Sequence, residues 1–162
     1  SQGFMWQPYG AQWLRAYGPG GLRADVVTSR YEVRIIDASG KTIRTLTRDL
    51  PPVAVSSRER KKQDSILAKE KTDLPFGVPA SKAPIVGIMW GQEGSLWVER
   101  AVAEGRPREA DVFDKAGRLV AVAEWPADID LFHGYPVING NRVVSVARDA
   151  DDVERVVRLK FR

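Results

Sequence analysis

The sequence predicts an all-β fold built from consecutive four-stranded antiparallel meanders, with one charged helix inserted near 56–72. Three observations carry that reading. A turn signature is written twice, apolar runs of strand length surround both copies and recur a third time, and one charged segment opens with a helix-start signal.

The signature is apolar-apolar-Asp-x-x-Gly-basic-x-apolar. It occurs in "IIDASGKTIRTL" (Ile35 to Leu46) and again in "VFDKAGRLVAVA" (Val112 to Ala123), with the aspartates 114 − 37 = 77 positions apart. Alternating apolar residues that stop at Asp-x-x-Gly and then resume spell two antiparallel strands joined by a tight turn. Asp37 and Asp114 accept hydrogen bonds from the turn's N–H groups, and Gly40 and Gly117 supply the positive φ that closes it.

Each hairpin has strands ahead of it. In the first unit, about 11–50, "ADVVTS" (Ala24 to Ser29) precedes the hairpin, and the innermost strand falls around Trp13 to Tyr17. In the second, about 84–126, "PIVGIMW" (Pro84 to Trp90) and "GSLWVER" (Gly94 to Arg100) precede it, separated by the turn Gly91 to Gly94. The small, uniformly apolar "PIVGIMW" predicts a doubly buried innermost strand. A third unit, about 131–162, reads as "NRVVSVA" (Asn141 to Ala147), the polar turn Arg148 to Asp152, and "VERVVRLKF" (Val153 to Phe161). There the sequence ends where a fourth strand is due.

Four-stranded units in series, none able to bury both faces alone, predict radial stacking as β-propeller blades, about three of them in a single domain. A sandwich of the same strands is the alternative. The repeated outer hairpin favours blades, because a sandwich needs no such echo.

The segments "GSLWV", "DVFDKAGRLVAVAEWP" (Asp111 to Pro126) and "DDVERVVRLKFR" resemble the last blades of bacterial six-bladed β-propellers of the NHL and TolB-like kind. "YEVRIIDASGKTIRTLTRDLPPVAV" followed by a charged helix is similar to the preceding blade, notably in uncharacterised propeller proteins of Gemmatimonadota. The resemblance implies a periplasmic or otherwise extracytoplasmic setting, in some cases membrane-associated. It says little about activity, since one propeller scaffold hosts many functions. Three blades where the family has six leave two blade faces open, both expected to be apolar, and such exposure is rare in monomers. The expected partner is therefore protein, a second copy or a larger complex, with strand addition to "VERVVRLKF" as one route.

The inserted helix is expected over 56–73. Ser56 with Glu59 three residues later forms a capping box, Pro51 and Pro52 stop the preceding strand, and Pro75 ends the segment. Its charge is mostly basic, with Ile66 and Leu67 the only large apolar side chains. A solvated helix clipped to the outside is the simpler expectation. The functional reading makes Arg58, Lys61 and Lys62 a docking face for an acidic partner or anionic lipid headgroups. Nucleic acid fits poorly, because no aromatic residue interleaves with this basic segment.

Composition narrows the remaining classes. A chain of 162 residues can bury about two-thirds of its unfolded surface and needs no staple. Without cysteine there is no disulfide, thiol nucleophile or zinc-thiolate site. The net charge of +4 predicts mild attraction to anionic surfaces. The sequence opens at Ser1 rather than Met, which leaves room for a leader or anchor ahead of it. No apolar run reaches the roughly 18 residues of a membrane span.

Catalytic inventory is thin. His133 is the only histidine and reads as structural, no G-x-S-x-G elbow or phosphate-cradling glycine loop is present, and no motif calls for a cofactor. Asp149, Asp151 and Asp152 lack the glycine and distal glutamate of a calcium loop. The enzymatic alternative is a metal-dependent lactonase-like propeller, with Glu93, Asp128 and Asp130 as candidate carboxylates near inner strand ends. Among the five tryptophans, Trp97 is expected to pack between blades, and Trp6 and Trp90 are candidate partner anchors. The expected function is a non-catalytic binding or structural module.

Overall fold

The computed structural model describes residues 7–70, 77–132, 136–148 and 153–161. The described chain is mostly β, with three antiparallel sheets of three to four strands and one helix. The first sheet holds β1 (Trp13–Tyr17), β2 (Arg23–Val27), β3 (Glu32–Ile36) and β4 (Thr42–Thr47), side by side in chain order. The second holds β5 (Ile85–Trp90), β6 (Leu96–Arg100), β7 (Arg108–Phe113) and β8 (Leu119–Trp125) in the same arrangement. The third holds β9 (Val137–Asn139), β10 (Arg142–Arg148) and β11 (Glu154–Lys160). Between the first two sheets in sequence lies α1 (Ser57–Glu70); the predicted extension to 73 falls outside the described residues.

The two echoed turns fold alike for the reason their sequence suggests. Asp37 Oδ1 accepts from the N–H groups of Ser39 and Lys41, and the Gly40 N–H donates to Asp37 O. Asp114 Oδ1 accepts from the Arg118 N–H, and the Gly117 N–H donates to Asp114 O. Both glycines have positive φ, 87° and 76°. Even the irregularity repeats: register shifts fall between Ile35 and Ile36 and between Val112 and Phe113, just ahead of each turn. These bonds favour the ionised carboxylates. Serine and backbone donors hold Asp37 below the ordinary carboxylate range, and the Arg118 backbone and side chain do the same for Asp114.

The sheets pack in series, with the second in the middle. One core cluster joins Ala24, Val26, Val33, Ile35 and Leu46 of the first sheet to Ile85, Leu96, Val98 and Phe113 of the second. The other joins Trp97, Ala110, Val112, Ala123 and Trp125 to Ile138 and Val143 of the third. Alternation along β6 and β7 sends successive side chains to the two clusters, so the middle sheet is buried on both faces. The Trp97 ring meets Phe161 edge to face at 5.3 Å, which seals the second junction.

Two expectations are corrected. β5 stands first in its sheet as expected but is not doubly buried: Val86 is 43% exposed and Ile88, Met89 and Trp90 are only half-buried. Both faces are covered instead along β6 and β7, where Leu96 to Glu99 and Ala110 to Phe113 are all buried, because the first sheet packs on one side and the third on the other. Nor are the two outer sheet faces equally apolar. That of the first sheet mixes charge with apolar area: Arg15, Arg23, Asp25, Glu32 and Arg34 share it with the exposed Trp13, Tyr17 and Val27.

Candidate interaction surfaces

The junction between the first two sheets shows how this chain fastens one sheet to the next. At its centre lies Asp111 on β7, wholly enclosed. The Tyr31 hydroxyl donates to its Oδ2 at 2.5 Å, Arg48 Nη1 donates to its Oδ1 at 2.5 Å, and Arg100 Nε lies 3.5 Å from Oδ1. Arg100 also pairs with Glu109. Burial, and then the bond to Asp111, push the Tyr31 hydroxyl far above the usual phenol value. Where β1 and β5 meet, Trp90 Nε1 donates to Ala16 O at 3.2 Å, and the ring occupies the space where a Cβ on Gly18 would stand. From β4, Arg44 Nη1 donates to Lys115 O in the β7–β8 turn at 3.0 Å. Trp90 thus contributes its polar edge to an internal joint.

The outward face of the first sheet carries a different polar group. Cross-strand register sets Arg15, Asp25 and Arg34 in one row across β1, β2 and β3. Arg15 Nε donates to Asp25 Oδ1 at 2.9 Å, with Arg23 Nε 3.1 Å from the same oxygen. Burial alone would raise the Asp25 pKa, but the Arg15 hydrogen bond and the charges of Arg15, Arg23 and Arg34 outweigh it and hold it below the ordinary range. Trp13 and Tyr17 flank the row, 55% and 74% exposed, and the Arg15 guanidinium sits 4.3 Å above the Trp13 ring. This cluster was absent from the candidate residues. Its signal was the period-two spacing of Arg23 and Asp25 in a strand otherwise read for its apolar residues.

The outward face of the third sheet is a valine patch. Val137, Val144, Val146 and Val156 are 40–66% exposed on neighbouring strands, with Arg142, Arg158 and Lys160 beside them. Among the described residues β11 has one strand neighbour, β10.

The helix is held by polar clips rather than by an apolar stripe. The capping box forms as spelled: the Ser56 N–H donates to Glu59 Oε2 and the Glu59 N–H to Ser56 Oγ, both at 3.0 Å. Lys82 Nζ donates to Glu59 Oε1 at 2.5 Å and to Val102 O at 2.8 Å, and Arg60 donates to the carbonyls of Val78 and Pro79. Arg58, Lys61 and Lys62 face solvent, with Arg58 3.4 Å from Glu104. An open cleft of about 520 Å³ lies nearby, lined in part by Tyr9, Tyr31, Arg48 and Lys82. Arg48 and Lys82 are already engaged by Asp111 and Glu59, and Lys82 also lies 5.5 Å from the Tyr9 ring.

The three candidate carboxylates do not converge. Glu93, in the β5–β6 turn, accepts from Ser95 Oγ and the Gly140 N–H; burial opposes its ionisation, yet these bonds hold its pKa below the ordinary range. Asp130 lies 3.4 Å from Arg108, beyond the end of β8, and register puts that end of the sheet opposite the β5–β6 turn. Asp128 is exposed beside it in the chain. No group of three or more potential metal-ligating side chains occurs among the described residues, and no described helix is long and apolar enough to cross a membrane. Trp6, His133, Asp149, Asp151 and Asp152 lie outside the described residues. No family model, curated protein or solved structure matches the chain.

Proposed function

We propose that this chain is a non-catalytic binding or structural module of the β-propeller kind, whose outer sheets are completed by another protein or a second copy at the cell envelope. The observation that carries this reading is the asymmetry of covering: the middle sheet buries both faces, while each end sheet buries only one. Serial packing, repeated outer hairpins and in-order strands are what a run of blades requires. The valine patch and the three-stranded third sheet supply apolar area and a strand edge for a further sheet. The envelope setting rests on the sequence resemblance.

The test is the native mass of the assembly purified from its source, compared with the 18.0 kDa chain alone. A larger complex is expected, with slower amide exchange along β11 than in the isolated chain. A lone chain in the source extract, with β11 exchanging as it does in isolation, overturns the proposal.

A further inference from the structure

We infer that the outward face of the first sheet is built for an acidic protein surface, and that its occupant is a different polypeptide rather than a second copy of this chain. The inference rests on the completed-sheet reading above and specifies one of its partners.

The repeat supplies the comparison. The spacing that aligns Asp37 with Asp114 also aligns Arg34 with Asp111, since 111 − 34 = 77. Asp111 occupies the face of the second sheet that receives the first, and it is fastened by Tyr31 and Arg48 reaching across. At the corresponding place on the first sheet the sign is reversed. Arg34 is exposed there, with Arg15 and Arg23 close by around the nearly buried Asp25, and Glu32 lies two residues away along β3. A sheet presenting an arginine, as the first presents Arg48 to the second, would meet guanidinium groups. The matching surface presents carboxylates, and Trp13 and Tyr17 beside the row offer it aromatic area.

A second copy does not provide such a surface. If two copies closed head to tail, the open face of the third sheet would meet this one. That face has Arg142 and Lys160 at the β9–β10 end of β10, Arg158 at its middle, and a carboxylate, Glu154, at the far end opposite Arg148. On the first sheet Arg23 lies at the turn end and Arg15 and Arg34 at the middle. Cation would oppose cation at both levels, and like-charge juxtaposition across an interface penalises association. A single-stranded nucleic acid would also meet arginines and aromatic rings. The protein reading is favoured because the equivalent face of the second sheet is covered by a protein sheet.

The experiment uses the tagged full-length chain expressed in its source and the assembly recovered at low and high salt. With Arg34→Glu, partner retention is expected to fall at least about tenfold, as it does when one member of an interfacial charge pair is reversed. Reversal of Lys61 and Lys62 on the helix should leave it unchanged. Arg34→Lys keeps the charge and adds an amine, so zero-length carbodiimide coupling should join position 34 to an aspartate or glutamate of the partner. Circular dichroism confirms folding, and Arg34→Gln replaces Arg34→Glu if the reversal unfolds the chain. Full retention by Arg34→Glu, or by Arg34→Gln where it replaces it, coupling of position 34 to a second copy, or dissolution of the assembly by nuclease would overturn the inference while leaving the completed-sheet reading standing. Recovery of the lone chain would overturn both.

Discussion

Tyr31 spends its hydroxyl on one enclosed carboxylate, and that gives the chain a sensitivity to alkali. In an unfolded chain a tyrosine ionises near pH 10, at about the model value. In the folded chain burial, followed by the bond to Asp111, holds its proton to higher pH. Above about pH 10 the folded state therefore binds more protons than the unfolded one, and stability falls as pH rises. Tyr31→Phe should cost about 1–2 kcal/mol at neutral pH, the cost of leaving a buried acceptor short of a donor. It should also flatten the alkaline decline, as urea titrations between pH 8 and 11 would record. An equally steep decline in the variant would assign the alkaline sensitivity to other groups.

At the level of elements, the two echoed turns differ in what surrounds them. Gly40 has φ 87° and open space where a Cβ would point, whereas a Cβ on Gly117, at φ 76°, would stand 2.3 Å from Arg44 Cδ. Gly40→Ala should cost about 1–2 kcal/mol from the left-handed backbone alone. Gly117→Ala should cost more, because Arg44 must shift and its bond to Lys115 O is put at risk; equal losses in chemical denaturation would mean that the neighbouring sheet tolerates the methyl. These turns and the helix cap were legible in the sequence because each is decided within a few residues: Asp-x-x-Gly closes a turn and Ser-x-x-Glu closes a cap wherever they occur. The Tyr31–Asp111–Arg48 fastening was not legible, since its partners are 80 and 63 positions apart and meet only after two sheets have stacked. β5 was misread for a related reason. Its composition suits burial on both faces, but the neighbouring sheets leave Val86 43% exposed. The arginine row lies between these cases: alternation gave the face, and only cross-strand register brought Arg15 and Arg34 beside Asp25.

For the molecule as a whole, serial stacking means that each end sheet is held through one junction. Trp97 is central to the second junction, 2% exposed and in edge contact with Phe161. Trp97→Ala should cost about 3–5 kcal/mol, and hydrogen exchange should show β9 to β11 opening before the first two sheets. Uniform loss of protection across all three sheets would mean that they unfold as one unit. The edge strand β11 has a final consequence, for solubility. An edge strand, as β11 is among the described residues, beside exposed valines invites fibrillar stacking of identical chains, but stacking in register would bring each Arg158 and Lys160 against its own image. Such gatekeeper cations discourage self-templated aggregation and leave the edge open to a strand of unlike composition.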